Sequence, residues 1–533
     1  MSLPRRPGIL IGCALALFGA GPALASIVTY MDTETLVRLS PVIVRGQVES
    51  IISLSDAAHA EIHTDVTIRV MESLKGGGGR DRIVLQLPGG SVDGHQSFVF
   101  GSPGFAKGEQ VLVFAQPTKR GVLTVTGLFQ GKFRIESEGG VEVAVQEGAG
   151  SAGVVLRRGQ QREHGRRPLA DLLEQTRELV KRYPARETAL TAPAVAGPVA
   201  AVSSPDLGFT LRPLIPLRWF EPDAGIPVTM MFNPTNAPAP TVVSGGARAQ
   251  FEAATRNWTN VTGSTIVMRD GGNTTAGCLL ADGVNSVSHG DPCGQFPDFD
   301  PVTCSGVLAV TGVAALSLES RTVNGTAFLR FREEDIIING GTDCFFSGPG
   351  NYGEVVGHEM GHVVGLGHSC GDAFTPDCAT DPVADAALMR AFAHGDGRGP
   401  TPQRGDINGA RFIYPPEGFV ALGLNGSAFA TGQTMSLTAD FNGTARADVY
   451  IVVAPPGGGF FALGASAPNV LVPVGSNVQL GFAAELPIFN HTFTGTEAAG
   501  SYSWVALLVR AGQNPAQTAN WLFIDVVPFT FTP

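Results

Sequence analysis

His358-Glu359-Met360-Gly361-His362-Val363-Val364-Gly365-Leu366-Gly367-His368 is the stretch on which the reading of this 533-residue chain turns. On a helix, His358 and His362 are four residues apart and share one face, one turn from each other. Two imidazoles so spaced can hold one metal ion. Glu359, beside the first, can reach a water on that metal, the His-Glu-x-x-His pattern in which the Glu is general base. A third ligand must come round after the helix ends. Gly365 supplies the backbone freedom for that break, and His368 follows three residues later. Three protein ligands leave the fourth position of one zinc ion to water, as a catalytic site needs. A chance set of surface histidines is the competing reading. It fits poorly with a chain that has only ten histidines, three of them in this register. A degenerate, metal-free site is also disfavoured, because no ligand and no base is missing.

Downstream, Ala387-Leu388-Met389 places a methionine at the distance of a Met-turn. The extended histidine motif with this Met389 resembles the metzincin zinc proteases, and Ser369 after the third histidine resembles the matrixin-like family among them. The resemblance spans about residues 219–416. It implies an α+β catalytic domain, a twisted sheet with an active-site helix, that cleaves protein or peptide substrates lying across the zinc. Met389 is then expected to pack beneath the metal without binding it. Val307, Leu308 and Ala309 resemble the family's edge strand, which pairs with extended substrate backbone; a plain core strand is the alternative. Matrixins often carry a second zinc, but His289 is the only histidine upstream in this domain, too few for that site. Calcium is a further candidate ion, on loop carboxylates such as Asp291, Asp298 and Asp300, without a ligand pattern to support it. Asp335 reads as a solvated strand end rather than an ion ligand. Arg390 stands where the family commonly has Tyr, so residues 390–404 border a pocket whose chemistry does not transfer. Residues 405–415 resemble the closing helix of the family, and Arg404-Gly405-Asp406 reads as its cap rather than as an integrin-binding tripeptide. Family pro-regions block the zinc with a cysteine, and none lies between Ser26 and Cys278.

The chain opens like an export signal. Arg5 and Arg6 precede an apolar run, Gly8 to Ala20, too short to span a bilayer, and Ala23-Leu24-Ala25 is a cleavage site before Ser26. The expected location is extracellular, with the periplasm or a lipoprotein anchor at Cys13 as the lesser alternatives. A net charge of -11 without a basic block argues against nucleic-acid binding. No later segment is long and apolar enough for a membrane helix. Once the signal is removed, six cysteines remain, an even number that implies disulfides in an exported chain. Cys370 and Cys378, in one short loop, are the expected pair.

Only 16% of the residues are charged while Gly numbers 69, which favours short strands and turns. Residues 26–165 carry period-two strand patterns, as in Thr64 to Val70, and read as a small β-barrel or sandwich. Residues 166–215 hold one amphipathic helix, Pro168 to Tyr183, and an Ala/Pro-rich linker. Residues 216–416 form the zinc domain, with Val228–Phe232 as first strand and Ala247–Trp258 as first helix. Residues 417–533 alternate throughout and suggest an immunoglobulin-like sandwich. The expected protein is therefore a secreted zinc metalloendopeptidase flanked by two β domains. The alternative from another class is a surface-binding or adhesion protein with a vestigial zinc domain, against which the intact Glu359 argues.

Overall fold

A computed structural model describes residues 27–55, 61–76, 79–92, 95–99, 102–146, 165–185, 207–212, 216–372, 375 and 377–533. The expected export signal and most of the Ala/Pro-rich linker lie outside these residues. Among them, no helix is long and apolar enough to cross a membrane.

The amino-terminal region runs α1 (Thr33–Leu39), β1 (Val42–Ser55), β2 (Ile62–Lys75), β3 (Arg82–Val92), β4 (His95–Val99), β5 (Gln110–Pro117), β6 (Leu123–Val125), β7 (Lys132–Glu138), β8 (Val141–Gln146), β9 (Arg166–Pro168) and α2 (Leu169–Arg182). The period-two patterns set its layers. One face of β1 to β3 and β5 buries Val44, Val66, Ile68, Leu85 and Val113 in a single cluster. The opposite face, with Ile43, Phe114 and Ala144, is covered by α1 and α2 through Leu36, Leu172 and Leu179. The helix α2 therefore packs on the amino-terminal strands rather than standing apart within a linker, because only there is its apolar stripe covered.

The central region runs β10 (Leu217–Arg218), β11 (Val228–Phe232), α3 (Ala247–Thr259), β12 (Met268–Asn273), β13 (Ser286–His289), β14 (Ala309–Val323), β15 (Thr326–Ile338), α4 (Asp343–Phe346), α5 (Asn351–Val364), α6 (Pro382–Ala386) and α7 (Arg404–Ile413). Strands β11, β12, β13 and β15 are parallel neighbours, and β14 closes antiparallel on β15. The sheet does not end at β14. Strand β4 pairs with it at Gly312 and Val313, so 15 strands of the two regions share one sheet. Arg38 adds an ion pair to Asp300 at 2.7 Å, and Arg120 Nε donates to Cys293 O at 2.6 Å.

Every residue of α5 is buried. Its glycines at 353, 357 and 361 form a four-residue repeat along one side, and each admits a close neighbour. A Cβ at Gly357 would stand 2.8 Å from Pro400 Cα, and one at Gly361 only 2.1 Å from Met389 Sδ. Trp258 of α3 lies along the same side and donates from Nε1 to Gly357 O at 2.8 Å. The helix ends at Gly365, whose φ of 112° is in the left-handed region and whose missing Cβ leaves room for Leu217 O.

The carboxy-terminal region adds β16 (Phe419–Leu424), β17 (Ala428–Ala430), β18 (Thr434–Asn442), β19 (Arg446–Ala454), β20 (Phe461–Ala462), β21 (Gly475–Gln479), β22 (Ala483–Thr492), β23 (Gly500–Arg510) and β24 (Trp521–Thr532). They form two sheets, β16-β18-β22 and β17-β24-β23-β19-β20, with β21 on β19. Leu437, Ile451, Trp504 and Leu508 fill the space between. Asn442 joins this sandwich to the central region, donating from Nδ2 to Gly263 O and Arg411 O.

Candidate metal centre

His358 and His362 stand one turn apart on α5, and the break at Gly365 brings His368 back to them. All three are buried, and their ligand atoms lie within 4.8 Å of one another. What fixes each ring decides what it can bind. His358 Nδ1 lies 2.8 Å from Leu388 O, and His362 Nδ1 lies 2.9 Å from Leu366 O. A carbonyl only accepts, so both Nδ1 atoms carry the proton and donate. His368 Nδ1 lies 2.7 Å from Asp372 Oδ2, the carboxylate that holds the third ring. The Nε2 lone pairs are thereby turned inward. His368 Nε2 has no hydrogen-bond partner, although it is buried. The Nε2 atoms of His358 and His362 are 3.0 Å apart. Burial holds both imidazoles well below their usual pKa, which disfavours a second proton on either. Converging lone pairs in a buried site repel one another unless a cation lies between them. Three imidazoles, each oriented by a hydrogen bond at Nδ1, are the donor set that zinc and its transition-metal neighbours take. A second convergence, Cys370, Cys378 and Asp385, is not such a site, because the two cysteines form a disulfide.

Glu359 is fully buried beside this cluster. Its Oε2 accepts from Thr311 Oγ1 at 2.5 Å and its Oε1 from Ile27 N at 3.3 Å. Burial pushes its carboxyl up to about 8, against the pull of those two donors. Behind the helix, the buried Arg212 forms an ion pair with Glu334 and donates to His362 O.

The floor and wall of the site come from residues 384–406. Met389 is buried against Gly361, and its carbonyl accepts from Ser369 N at 2.8 Å. Ser369 Oγ donates to Ala384 O at 2.7 Å. Asp406 accepts from Leu388 N at 2.7 Å, Met389 N at 3.1 Å and Gln403 N at 2.7 Å. It therefore caps α7 and fixes the turn carrying Met389, and through Leu388 O it holds the His358 ring. Arg390 is buried and shapes the next segment, donating from Nε to Phe392 O at 2.9 Å. Glu354, in the first turn of α5, accepts from His394 N and from Gly395 N at 2.5 and 3.0 Å.

The other expected residues fall as follows. Val307 bridges to Val28, Leu308 N donates to Ile27 O at 3.1 Å, and Ala309 opens β14. That edge is therefore occupied by the chain's own residues. Cys278 pairs with Cys293, Cys304 with Cys344 and Cys370 with Cys378. His289 is away from the cluster, its Nδ1 at Asn233 O and its Nε2 at Tyr352 Oη. Burial lowers its pKa to about 4, so it is a neutral core histidine. Asp291 accepts from two backbone amides, Asp298 faces Lys119, and Asp300 faces Arg38. Asp335 is buried and accepts from Ser286 N and Oγ, which corrects its reading as a solvated strand end. The parallel pairing of β13 with β15 covers it, a contact that the local pattern does not contain.

Thr311, Asp372, Asp406 and Ile27 had no assigned part at this site from sequence. The spacing of Asp372, four residues after His368, was the one available signal. Compared with protein-family models, curated proteins and solved structures, the chain matches none.

Proposed function

We propose that this protein is a secreted zinc-dependent endopeptidase of the metzincin kind, in line with the resemblance of its histidine motif, Ser369 and Met389 to the matrixin-like family. One observation carries the reading. Three buried imidazoles turn their Nε2 atoms to one point, each by a hydrogen bond at Nδ1, with the Glu359 carboxylate alongside. His358, His362 and His368 would hold the metal. Zinc bound there supplies a Lewis acid that polarises a peptide carbonyl and lowers the pKa of water towards ~7.

The remaining steps belong to the chain. Glu359 takes a proton from the attacking water and delivers it to the nitrogen of the departing amine. Thr311 holds the carboxylate through Oε2, and Oε1, which here accepts from Ile27 N, is the oxygen that would face the reacting groups. Leu366 O, Leu388 O and Asp372 keep the three rings in register, and Met389 packs beneath them as a rigid floor. Burial of the whole cluster excludes bulk water, which strengthens each of these interactions.

The test is metal content and cleavage on the same sample. Dialysed full-length chain is expected to hold about one zinc and to cut denatured casein over hours. Chelator should stop the cutting, and zinc should restore it. A folded chain that takes up no zinc, or that cuts equally well without it, contradicts the proposal.

A further inference from the structure

Ile27, Val28 and Thr29 form an extended strand laid against the site. On one side Thr29 N donates to Gly306 O at 3.0 Å and Leu308 N donates to Ile27 O at 3.1 Å, an antiparallel pairing with Val307. On the other side Val28 N donates to Ala391 O and Ala393 N donates to Val28 O, both at 3.3 Å, a parallel pairing with Phe392. The strand thus fills a slot between the edge at 306–308 and the segment that follows Met389. The hydrogen bonds that both walls make with it come from backbone groups, so the pairing itself does not depend on sequence, while side chains of the walls pack on Ile27 and Val28.

The position of Ile27 N sets the register. A general base that accepts the water's proton must return it to the departing amine, so that nitrogen has to lie beside the carboxylate. Ile27 N donates to Glu359 Oε1 at 3.3 Å. Ile27 therefore stands where the first residue after a cut bond belongs, with Val28 and Thr29 second and third. The Ile27 side chain is fully buried in the apolar cluster that contains Leu308 and the core of α5. Val28 is buried on the opposite side with Phe129 and Phe392. Farther along, a cavity of about 390 Å³ opens beside Thr29 and Tyr30, walled by Phe345, Ala393 and the Cys304–Cys344 disulfide.

The far end of the strand is tied to the amino-terminal region. Gln130 Nε2 donates to Thr29 O at 3.0 Å, and its Oε1 accepts from Met31 N at 2.9 Å. We propose, resting on the protease reading, that Ile27–Thr29 is a built-in occupant of the downstream half of the substrate groove. It slows the full-length chain by competing with substrate. It also marks the specificity, namely bonds on the amino side of a branched aliphatic residue such as Ile. No cysteine is needed for this latency. A tethered occupant acts at an effective concentration of about millimolar, which an external peptide at micromolar levels has to displace.

The experiment separates this claim from the protease reading. Zinc-loaded Glu359→Gln protein keeps the groove but does not consume the probe. A fluorescent peptide carrying Ala-Gly-Ile-Val-Thr is titrated into Glu359→Gln alone and into Glu359→Gln combined with Val28→Pro or with Ile27→Gly. Zinc content and circular dichroism are measured on each sample. Both added substitutions loosen the strand, the first by removing the amide that donates to Ala391 O. Binding at least about tenfold tighter than in Glu359→Gln alone is expected, with no gain for a peptide carrying Asp in place of Ile. Equal binding in all three zinc-loaded proteins overturns self-occupation and leaves the protease reading intact. Equal binding of the Asp peptide overturns the stated specificity. If both added variants misfold, hydrogen exchange on zinc-loaded Glu359→Gln without either of them decides. Protection of the Val28 and Thr29 amides, which belong to the displaced strand, should fall when the Ile peptide saturates the groove, and unchanged protection overturns the proposal.

Discussion

The central region and the carboxy-terminal sandwich spend their interiors differently. The central region buries Arg212, Glu334, Asp335, Glu354, Glu359, Asp406 and the three clustered histidines. The sandwich, among the described residues, buries only Asn442 and Asp448 of its polar side chains. Burying charge costs several kcal/mol unless it is paired, so an interior rich in it is a poor way to be stable. In the central region burial pushes Glu359 and Glu334 up to about 8 and Asp406 up to about 6. In the sandwich the largest shift runs the other way and lies at the surface. Glu497 is held down to about 2, chiefly by the Thr494 amide. The perturbed groups gather around the convergence of histidines to which a function is proposed. The sandwich keeps a core of Trp504, Ile451 and Leu508 with its charges outside.

The contrast breaks first at the ligands. His362→Ala should lower zinc from about one per chain to none and abolish hydrolysis, while the sandwich still unfolds as before. Metal analysis and calorimetry on one preparation check both halves. Full metal occupancy in His362→Ala would remove the centre from the account.

The next effect is on stability. Arg212→Ala leaves Glu334 buried without its partner and removes one donor from His362 O, so about 3–5 kcal/mol should be lost. Arg510→Ala removes an exposed pair with Glu417 and should leave the denaturation midpoint unchanged within error. Similar midpoint shifts for the two variants would erase the distinction between the regions.

The smallest effect is a pH dependence confined to the sandwich. The carboxyl of Glu497 is lowered from 4.5 to about 2 in the folded chain. The stability it contributes is therefore present above about 4.5 and lost as pH falls towards 2. Glu497→Gln should flatten that part of the acid limb and leave neutral pH almost untouched. An acid limb identical to that of the unaltered chain would show that the Thr494 turn does not hold the charge.

What the sequence made legible was local. The pair at His358 and His362, the break at Gly365, the return at His368 and the short Cys370–Cys378 loop each depend on neighbours a few residues away. So do the period-two strands and the apolar stripe of α2. What stayed hidden was long-range. Ile27 meets Glu359 across 332 positions, and no periodicity encodes that contact. Of the edge expected at Val307 to Ala309 only Ala309 lies in β14, with Val307 in an isolated bridge, and neither the cover of that edge by Ile27–Thr29 nor that of β14 by β4 was legible. Asp406 was legible as a helix cap, which it is, while its second duty to Leu388 N and Met389 N depends on a turn 17 and 18 residues upstream. Asp335 misled because a charged residue in a strand is usually solvated, and the burying neighbour is a parallel strand about 50 residues earlier.

The central claim is that Glu359 works as a base beside a metal held by three histidines. Its most direct test compares Val28→Pro with Val28→Pro/Glu359→Gln, so that the resident strand slows neither protein. Both are loaded with zinc, shown to be folded, and given the same denatured casein and the same Ile-containing peptides. Equal zinc content is expected, with hydrolysis lower in the double variant by roughly 10²–10⁴-fold. Equal rates in the two proteins, or no cleavage by zinc-loaded Val28→Pro across the whole peptide set, would contradict that claim.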